Sequence, residues 1–273
     1  MHLETTRNKP FLLGKLHTNY QMKNHAIIFD IDGTAVDSPS QKLPSEMLIQ
    51  ATHDLRTEYF LCAATGRVWT FAKPVLHSLQ LTDPCIISAG TQICNPVTGE
   101  ILWQKTIDGG ALKEILSIFQ QFPDYKLLYN DGNEDDYFNG GSYPKDFTTH
   151  EPVYFLEQVF IPDELALVAY DKLNSVEGVT CVMVVSQKPG CRDLHIINSS
   201  ATKEHAIAEL IAMLRIDKTN TIGIGDGHND IHLFNAVHTK IAMGNAVPEL
   251  KEMADKIIGS VQEDGLAGYF KTL

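Results

Sequence analysis

Ala26-Ile27-Ile28-Phe29-Asp30-Ile31-Asp32-Gly33-Thr34 is an apolar run that ends in two carboxylates and a glycine. A continuous apolar run of strand length fits a strand covered on both faces, as in a parallel sheet. Side chains at i and i+2 of an extended chain point the same way, so Asp30 and Asp32 can converge on one cation or one reacting group. Gly33 then lets the backbone turn sharply. Parallel sheets bind ligands just beyond the carboxyl ends of their strands, which makes this stretch a candidate active site. The same pattern also fits a solvated loop or a calcium turn.

The residues on either side repeat the theme. Pro44 and Ser45 lead into a helical stretch from Glu46 to about Arg56, with Met47, Leu48, Ala51 and Leu55 on one side. A second apolar run, Tyr59 to Ala64, ends at Thr65-Gly66-Arg67 before a helix expected over Val68 to Leu79, and Cys85 to Ser88 reads as a third strand. Strands alternating with helices call for a parallel sheet with right-handed crossovers. The pattern changes at Thr98-Gly99, which sits between Gln92-Ile93-Cys94 and Ile101-Leu102-Trp103 as a hairpin would. From about Asp108 to Asp193 a mixed α+β module is expected. It holds a helix-like stretch (Leu112 to Phe119), an acidic run from Asn130 to Phe138, a Gly140-Gly141-Ser142 turn, and apolar runs at Leu165 to Ala169 and Cys181 to Val185.

The strand-helix rhythm returns at Ser200, where Ser199 or Ser200 can cap a helix carrying Ala206, Ile207, Leu210, Ile211 and Leu214 at helical spacing. Lys203 falls in its first turn, where the helix dipole disfavours a cation, so it either sits in solvent or is held there to meet an anion. Thr221 to Gly225 reads as another buried strand, ending at Asp226-Gly227-His228-Asn229-Asp230 before a helix over Ile231 to Ala236. A strand and turn at Ile241 to Ala246, a helix from Pro248 to Ala254 and a last short strand at Ile257-Ile258 follow. The sheet is thus expected to draw on both ends of the chain.

Composition narrows the function classes. The chain has 273 residues and a formal net charge of -12, which argues against gripping nucleic-acid phosphates or an anionic membrane and favours a small-molecule substrate. Cys62, Cys85, Cys94, Cys181 and Cys191 are scattered, odd in number and without CxxC spacing, so neither a disulfide framework nor a zinc site is indicated. A reducing cytoplasm fits that usage. No run approaches the roughly 20 apolar residues of a membrane helix. Residues 1–21 read as a loose N-terminal extension without a signal peptide's apolar core, and Met22 is a possible alternative start. A monomer or homodimer is expected.

Four polar sites now share one kind of position: Asp30 to Thr34, Thr65 to Arg67, Lys203, and Asp226 to Asp230. A doubly wound sheet gathers strand ends along one edge, so two acidic turns, a hydroxyl and a lysine can line one crevice. That set suits phosphoryl transfer, with Asp30 as nucleophile, Asp32 as general acid/base, Asp226 as a ligand for magnesium, and Thr65 and Lys203 as phosphate holders.

The set resembles the haloacid dehalogenase superfamily of aspartate-dependent phosphatases. The likeness rests on Asp30-Ile31-Asp32-Gly33-Thr34, Thr65-Gly66-Arg67, Lys203 and Gly225-Asp226-Gly227-His228-Asn229-Asp230, in that order. An insertion after the third strand is similar to the Cof-like subgroup, which has a large α/β cap (type IIB). The resemblance implies an α/β fold: a Rossmann-like doubly wound parallel-sheet core over residues 22–107 and 194–273, with an inserted α+β cap domain over 108–193 that sets specificity. It also implies a Mg²⁺-dependent phosphatase acting on a small phosphorylated metabolite, often a sugar phosphate. Asp30 would form an aspartyl-phosphate, while Asp32 would protonate the leaving alcohol and then activate water. Mg²⁺ would be held by Asp30, the Asp32 carbonyl and Asp226, supported by Asn229 and Asp230. Substrate contacts would come from Gly33, Thr34, Thr65, Gly66, Arg67, Lys203 and Asn229.

The chain departs from the pattern at two places. Glu204 follows the lysine where the family usually has Gly, and Ser88-Ala89-Gly90-Thr91 stands where the subgroup commonly has Asn-Gly. The missing Asn leaves a substrate or cap-positioning contact open. His228 reads as a loop residue rather than a ligand. Tyr129, Tyr137, Phe138 and Tyr143 of the insert face either substrate or their own module's surface and core. Two other functions use the same residues: a sugar-phosphate phosphotransferase or mutase, and a catalytically idle binding protein.

Overall fold

The computed structural model describes residues 23–37, 43–122, 126–130, 152–186 and 188–273. The extension at 1–21, the acidic run beyond Asn130, the Gly140-Gly141-Ser142 turn, Tyr137, Phe138 and Tyr143 lie outside the described residues. In chain order come β1 (His25–Phe29), α1 (Glu46–Leu55), β2 (Tyr59–Ala63), α2 (Trp69–Ser78), β3 (Cys85–Ile87), β4 (Gln92–Cys94) and β5 (Ile101–Gln104). Next are α3 (Gly109–Phe119), β6 (Lys126–Tyr129), β7 (Leu156–Pro162), α4 (Asp163–Asn174), β8 (Val179–Val185) and β9 (Cys191–Asn198). The chain closes with α5 (Lys203–Leu214), β10 (Thr221–Gly225), α6 (Ile231–Ala236), β11 (Thr239–Ala242), α7 (Pro248–Met253), β12 (Lys256–Ile257) and α8 (Gly265–Phe270).

Among the described residues, a five-stranded sheet runs in the order β12-β11-β10-β1-β2, and every neighbouring pair is parallel. β1 is its centre. Ala26, Ile27, Ile28 and Phe29 are buried because helices cover both faces, which is why this strand reads as an unbroken apolar run. Its neighbours are β2 and β10, so the strand ends at Asp30, Thr65 and Asp226 fall along one edge. β3 was expected to extend this parallel sheet. It touches it through a single parallel bridge, Ala64 to Ile86, and otherwise pairs antiparallel with β4, which pairs in turn with β5 in the expected hairpin. With only three residues, β3 is too short to sustain two full ladders.

The insert forms a second, antiparallel sheet in the order β6-β7-β9-β8. Alternation along its strands turns Leu156, Leu194 and Ile196 onto α3 and α4, where they pack with Ile115, Phe119, Ala166, Ala169 and Leu173. The apolar run Leu165 to Ala169 belongs to α4, and Cys181 to Val185 to β8. β9 passes unbroken through the expected 193/194 division and stays paired with β8 as far as Asn198. At that point Asn198 Nδ2 donates to Thr106 O at 2.8 Å, tying together the two chain segments that enter and leave the insert.

An apolar patch joins the insert to the core. Val68, Phe155 and Ile197 are buried together, with Phe71, Ala89 and Tyr154 packed against them. Ala89 therefore makes a carbon contact where the subgroup pattern has Asn. Both Ser88 (φ 53°) and Ala89 (φ 59°) adopt the left-handed conformation that Asn and Gly accept more readily. Ala89→Gly should raise stability by about 0.5 kcal/mol. The left-handed penalty of roughly 1–2 kcal/mol is relieved, less the chain entropy that glycine loses and the methyl contact. Urea unfolding measures the difference, and a loss of stability would show that the methyl contact outweighs the backbone.

Candidate active site

The core elements deliver their polar ends to one place. Asp30 N donates to Ile224 O at 2.9 Å and Ala64 N to Phe29 O at 2.8 Å, so the ladder on both sides of β1 holds until the chain turns. Gly33 makes the turn at φ +79°, and a Cβ there would lie 2.1 Å from Asp226 Oδ2. No other residue fits this contact. Thr34 Oγ1 donates to Asp226 Oδ1 at 3.1 Å, while Asn245 Nδ2 donates to Gly33 O at 2.8 Å and to Asp226 Oδ2 at 3.3 Å. Thr34, expected to face substrate, thus holds the β10 turn to the β1 turn. Asn245 belongs to none of the sequence motifs, although it stands just past the end of β11, as Asp30, Thr65 and Asp226 stand past β1, β2 and β10.

Lys203 is the first residue of α5, with Thr202 rather than Ser199 or Ser200 at the N-cap. Its ammonium donates to Asp30 Oδ1 at 2.7 Å and to Asp230 Oδ1 at 2.8 Å, and all three side chains are buried. This resolves its place against the helix dipole: two carboxylates outweigh the positive partial charge of the helix's first turn. The second Asp230 oxygen accepts from Asp226 N and Gly227 N, both at 3.0 Å. Asp230 is therefore fully committed to Lys203 and the loop.

Asp32 is placed differently. Arg67 Nε and Nη2 grip both of its oxygens at 2.9 and 2.6 Å, a bidentate pair at the cavity wall. Arg67, expected to contact substrate, also donates to Phe71 O at 3.2 Å. Thr65 is buried, its Oγ1 accepting from Arg67 N at 3.1 Å, which leaves the hydroxyl hydrogen to donate elsewhere. Gly66 and Arg67 carry that turn into the cavity, and Asn229 lines it too. His228 is exposed beside Glu249 at 3.6 Å, as a loop residue would be.

Electrostatics set the demand of this cluster. Asp30, Asp226 and Asp230 offer carboxylate oxygens within 4.8 Å of one another. Burial, then repulsion from Asp230, pushes the Asp30 carboxyl well above the ordinary carboxylate range against the pull of Lys203. The same two causes raise Asp226 to about 7. Burial would lower Lys203, but Asp230 and then Asp30 raise it above the ordinary lysine value. Three carboxylates sharing one ammonium leave two negative charges uncompensated when all are ionised. Clustered hard oxygen donors with that surplus fit a divalent hard cation such as Mg²⁺. Asp30, through the oxygen not held by Lys203, and Asp226 are placed to hold it.

The insert covers the cluster. A cavity of about 500 Å³ is bounded on the core side by Asp30, Asp32, Arg67 and Asp226 and on the insert side by Phe155, Glu157 and His195. The family model of haloacid dehalogenase-like hydrolases matches residues 27–176 and 133–270, which together span both the sheet and the insert. The chain belongs to this family. As a Cof-like haloacid dehalogenase-like hydrolase it has relatives along most of its length. YkrA of Bacillus subtilis is 25% identical over 270 residues, 92% of this chain and 98% of that protein. The 5-amino-6-(5-phospho-D-ribitylamino)uracil phosphatase YitU of the same species is 21% identical, with the same coverage. The HMP-PP phosphatase of Yersinia pestis is 26% identical over 88% of this chain and 92% of its own length. Among solved structures, a B. subtilis haloacid dehalogenase-like hydrolase superposes with a TM-score of 0.76 at 20% identity, covering 91% of this chain and 99% of that one. The subclass IIB sugar phosphatase BT4131 gives 0.72 at 21%, covering 91% and 98%.

Proposed function

We propose that this hydrolase is a Mg²⁺-dependent phosphatase of small phosphomonoesters that works through an aspartyl-phosphate on Asp30. One observation carries the reading: a buried carboxylate at the end of β1 is held by Lys203 beside Asp226, while a second, Asp32, waits in the same cavity on a separate clamp. The phosphatase names of YitU and of the Yersinia relative support it. Bound Mg²⁺ would offset the surplus negative charge and polarise the phosphoryl oxygens.

Asp30 would attack phosphorus, forming one O–P bond as the ester O–P bond breaks. Lys203 and the Thr65 hydroxyl would share the charge spreading over the phosphoryl oxygens. The leaving alkoxide would take a proton from Asp32, which reaches that state only when Arg67 loosens its grip. Asp32, again a carboxylate, would then take a proton from the water that attacks the aspartyl-phosphate, releasing phosphate and Asp30. The insert, which we assign as the specificity cap, excludes bulk water from these steps. Among the described residues no helix is long and apolar enough to cross a membrane, and the five cysteines are buried and unpaired. Free thiols of this kind fit a reducing cytoplasm.

Phosphate release from a panel of phosphorylated sugars, nucleotides and cofactors tests the reading. Activity is expected to vanish on thorough chelation and return with Mg²⁺; full activity after chelation would refute it. The pH dependence follows from Asp226. Its pKa is raised, so the neutral form favours folding below the ordinary carboxylate range, and that contribution is lost as pH rises through about 7. A cation needs the ionised form. The Mg²⁺ midpoint read from thermal unfolding should therefore be about tenfold higher at pH 6 than at pH 8. An equal midpoint at both would remove Asp226 from the ligand set.

A further inference from the structure

The cap side of the cavity carries a polar pair that the chemistry at Asp30 leaves unused. Glu157 on β7 and His195 on β9 stand directly opposite each other, with Nε2 and Oε1 3.1 Å apart. Their side chains are only 16% and 12% exposed, and both line the cavity. Phe155 meets the imidazole edge-on, with ring centroids 5.1 Å apart. Enclosing polar side chains costs solvation, and the one hydrogen bond between them offsets it only in part. Phe155 and Ile197 already make part of this face apolar. The place of Glu157 and His195 in the wall of the cavity suits a ligand that can use the hydrogen-bonding atoms the pair leaves over.

Its position also ties it to the reacting end. A Cβ on Gly66 would lie 3.5 Å from His195 Cε1, ordinary van der Waals distance, so the cap strand abuts the turn that presents Arg67 to Asp32. The imidazole and carboxylate spend Nε2 and Oε1 on each other, and Nδ1 and the second Glu157 oxygen lie outside that bond.

We propose that Glu157 and His195 form the leaving-group subsite: they hydrogen-bond a hydroxyl or amine on the alcohol portion of the substrate, and so select esters whose leaving group carries such a group. This rests on the phosphatase reading above. A subsite built to hydrogen-bond discriminates strongly against a ligand that lacks the group, because its own enclosed polar atoms are then left unpaired. Phenyl phosphate, whose leaving group has no hydrogen-bonding substituent, is therefore the reference probe.

The test compares kcat/KM for phenyl phosphate with that for a panel of hexose 6-phosphates, glycerol phosphate and phosphorylated aminopyrimidines, in wild type, Glu157→Gln and His195→Phe. Wild type should prefer at least one panel member about tenfold or more over phenyl phosphate. In both variants that ratio should collapse toward unity, whatever the absolute rates. A ratio is insensitive to a lowered folded fraction, and Glu157→Gln keeps the size of the side chain should His195→Phe fold poorly. A wild type that prefers phenyl phosphate to every member, or variants whose ratio stays within threefold of wild type, would overturn the subsite. Absence of Mg²⁺-dependent hydrolysis of every ester, phenyl phosphate included, would overturn the phosphatase reading itself.

Discussion

Asp30→Asn should lower turnover by at least about 10⁴-fold, on the scale seen when a covalent nucleophile is removed, while the protein stays folded. An amide oxygen has neither the charge nor the basicity to attack phosphorus. It can still accept from the Lys203 ammonium, so the 2.7 Å contact need not be lost. The substitution also removes one of the three carboxylates that repel one another within 4.8 Å. The unfolding temperature in metal-free buffer at pH 8 is therefore expected to equal or exceed that of the wild type. Intact-mass measurement after substrate addition should show no phosphorylated species. A variant with turnover close to wild type would sink the aspartyl-phosphate mechanism.

Lys203→Ala is expected to damage both chemistry and fold. Loss of the ammonium removes a donor from the phosphoryl oxygens, for which a rate loss of about 10²–10³ is typical of a single electrostatic contact. It also strands Asp30 and Asp230, both buried, and breaking one side of a buried ion pair costs about 3–5 kcal/mol. Protonation of the carboxylates relieves that cost. The stability gap between variant and wild type should thus be widest near pH 8 and shrink toward pH 5, where Asp226, raised to about 7, is already neutral and Asp30 is raised too. Denaturant unfolding at the two pH values measures it. An unchanged rate would put Lys203 back among solvated lysines, and an unchanged stability would contradict the buried triad.

The sequence exposed those parts of the site that sit on local patterns. Apolar runs marked β1, β2 and β10, and each ended at the polar turn now seen at the sheet edge. What it hid depends on pairing between distant residues. The grip of Arg67 on Asp32 and the bond from Thr34 to Asp226 join segments far apart in the chain, so neither contact is legible in the motifs themselves. Asn245 carries no signal in the sequence because its turn follows an ordinary strand, and only the sheet order brings it beside Gly33. His195 and Glu157 lie on the face of the cap sheet where polar and aromatic side chains mix, which blurs the alternation a half-buried strand would show. β9 crossed the expected boundary for the related reason that Cys191 to Asn198 reads as one strand only when β8 is seen beside it.

The position of β1 between β2 and β10 has a consequence for biosynthesis. β1 is made before β10, and the whole cap separates the two, since Ala26 to Phe29 pair with Thr221 to Ile224. At roughly 5–20 residues per second, a ribosome needs on the order of ten seconds or more to bridge that interval. Throughout it, one edge of the central strand is open and Asp30 lacks Lys203, Asp226 and Asp230. Contacts of such sequence separation also slow folding through the entropy of closing the loop. Asp30 consequently cannot meet its partners until β10 and the turn from Asp226 to Asp230 have been made.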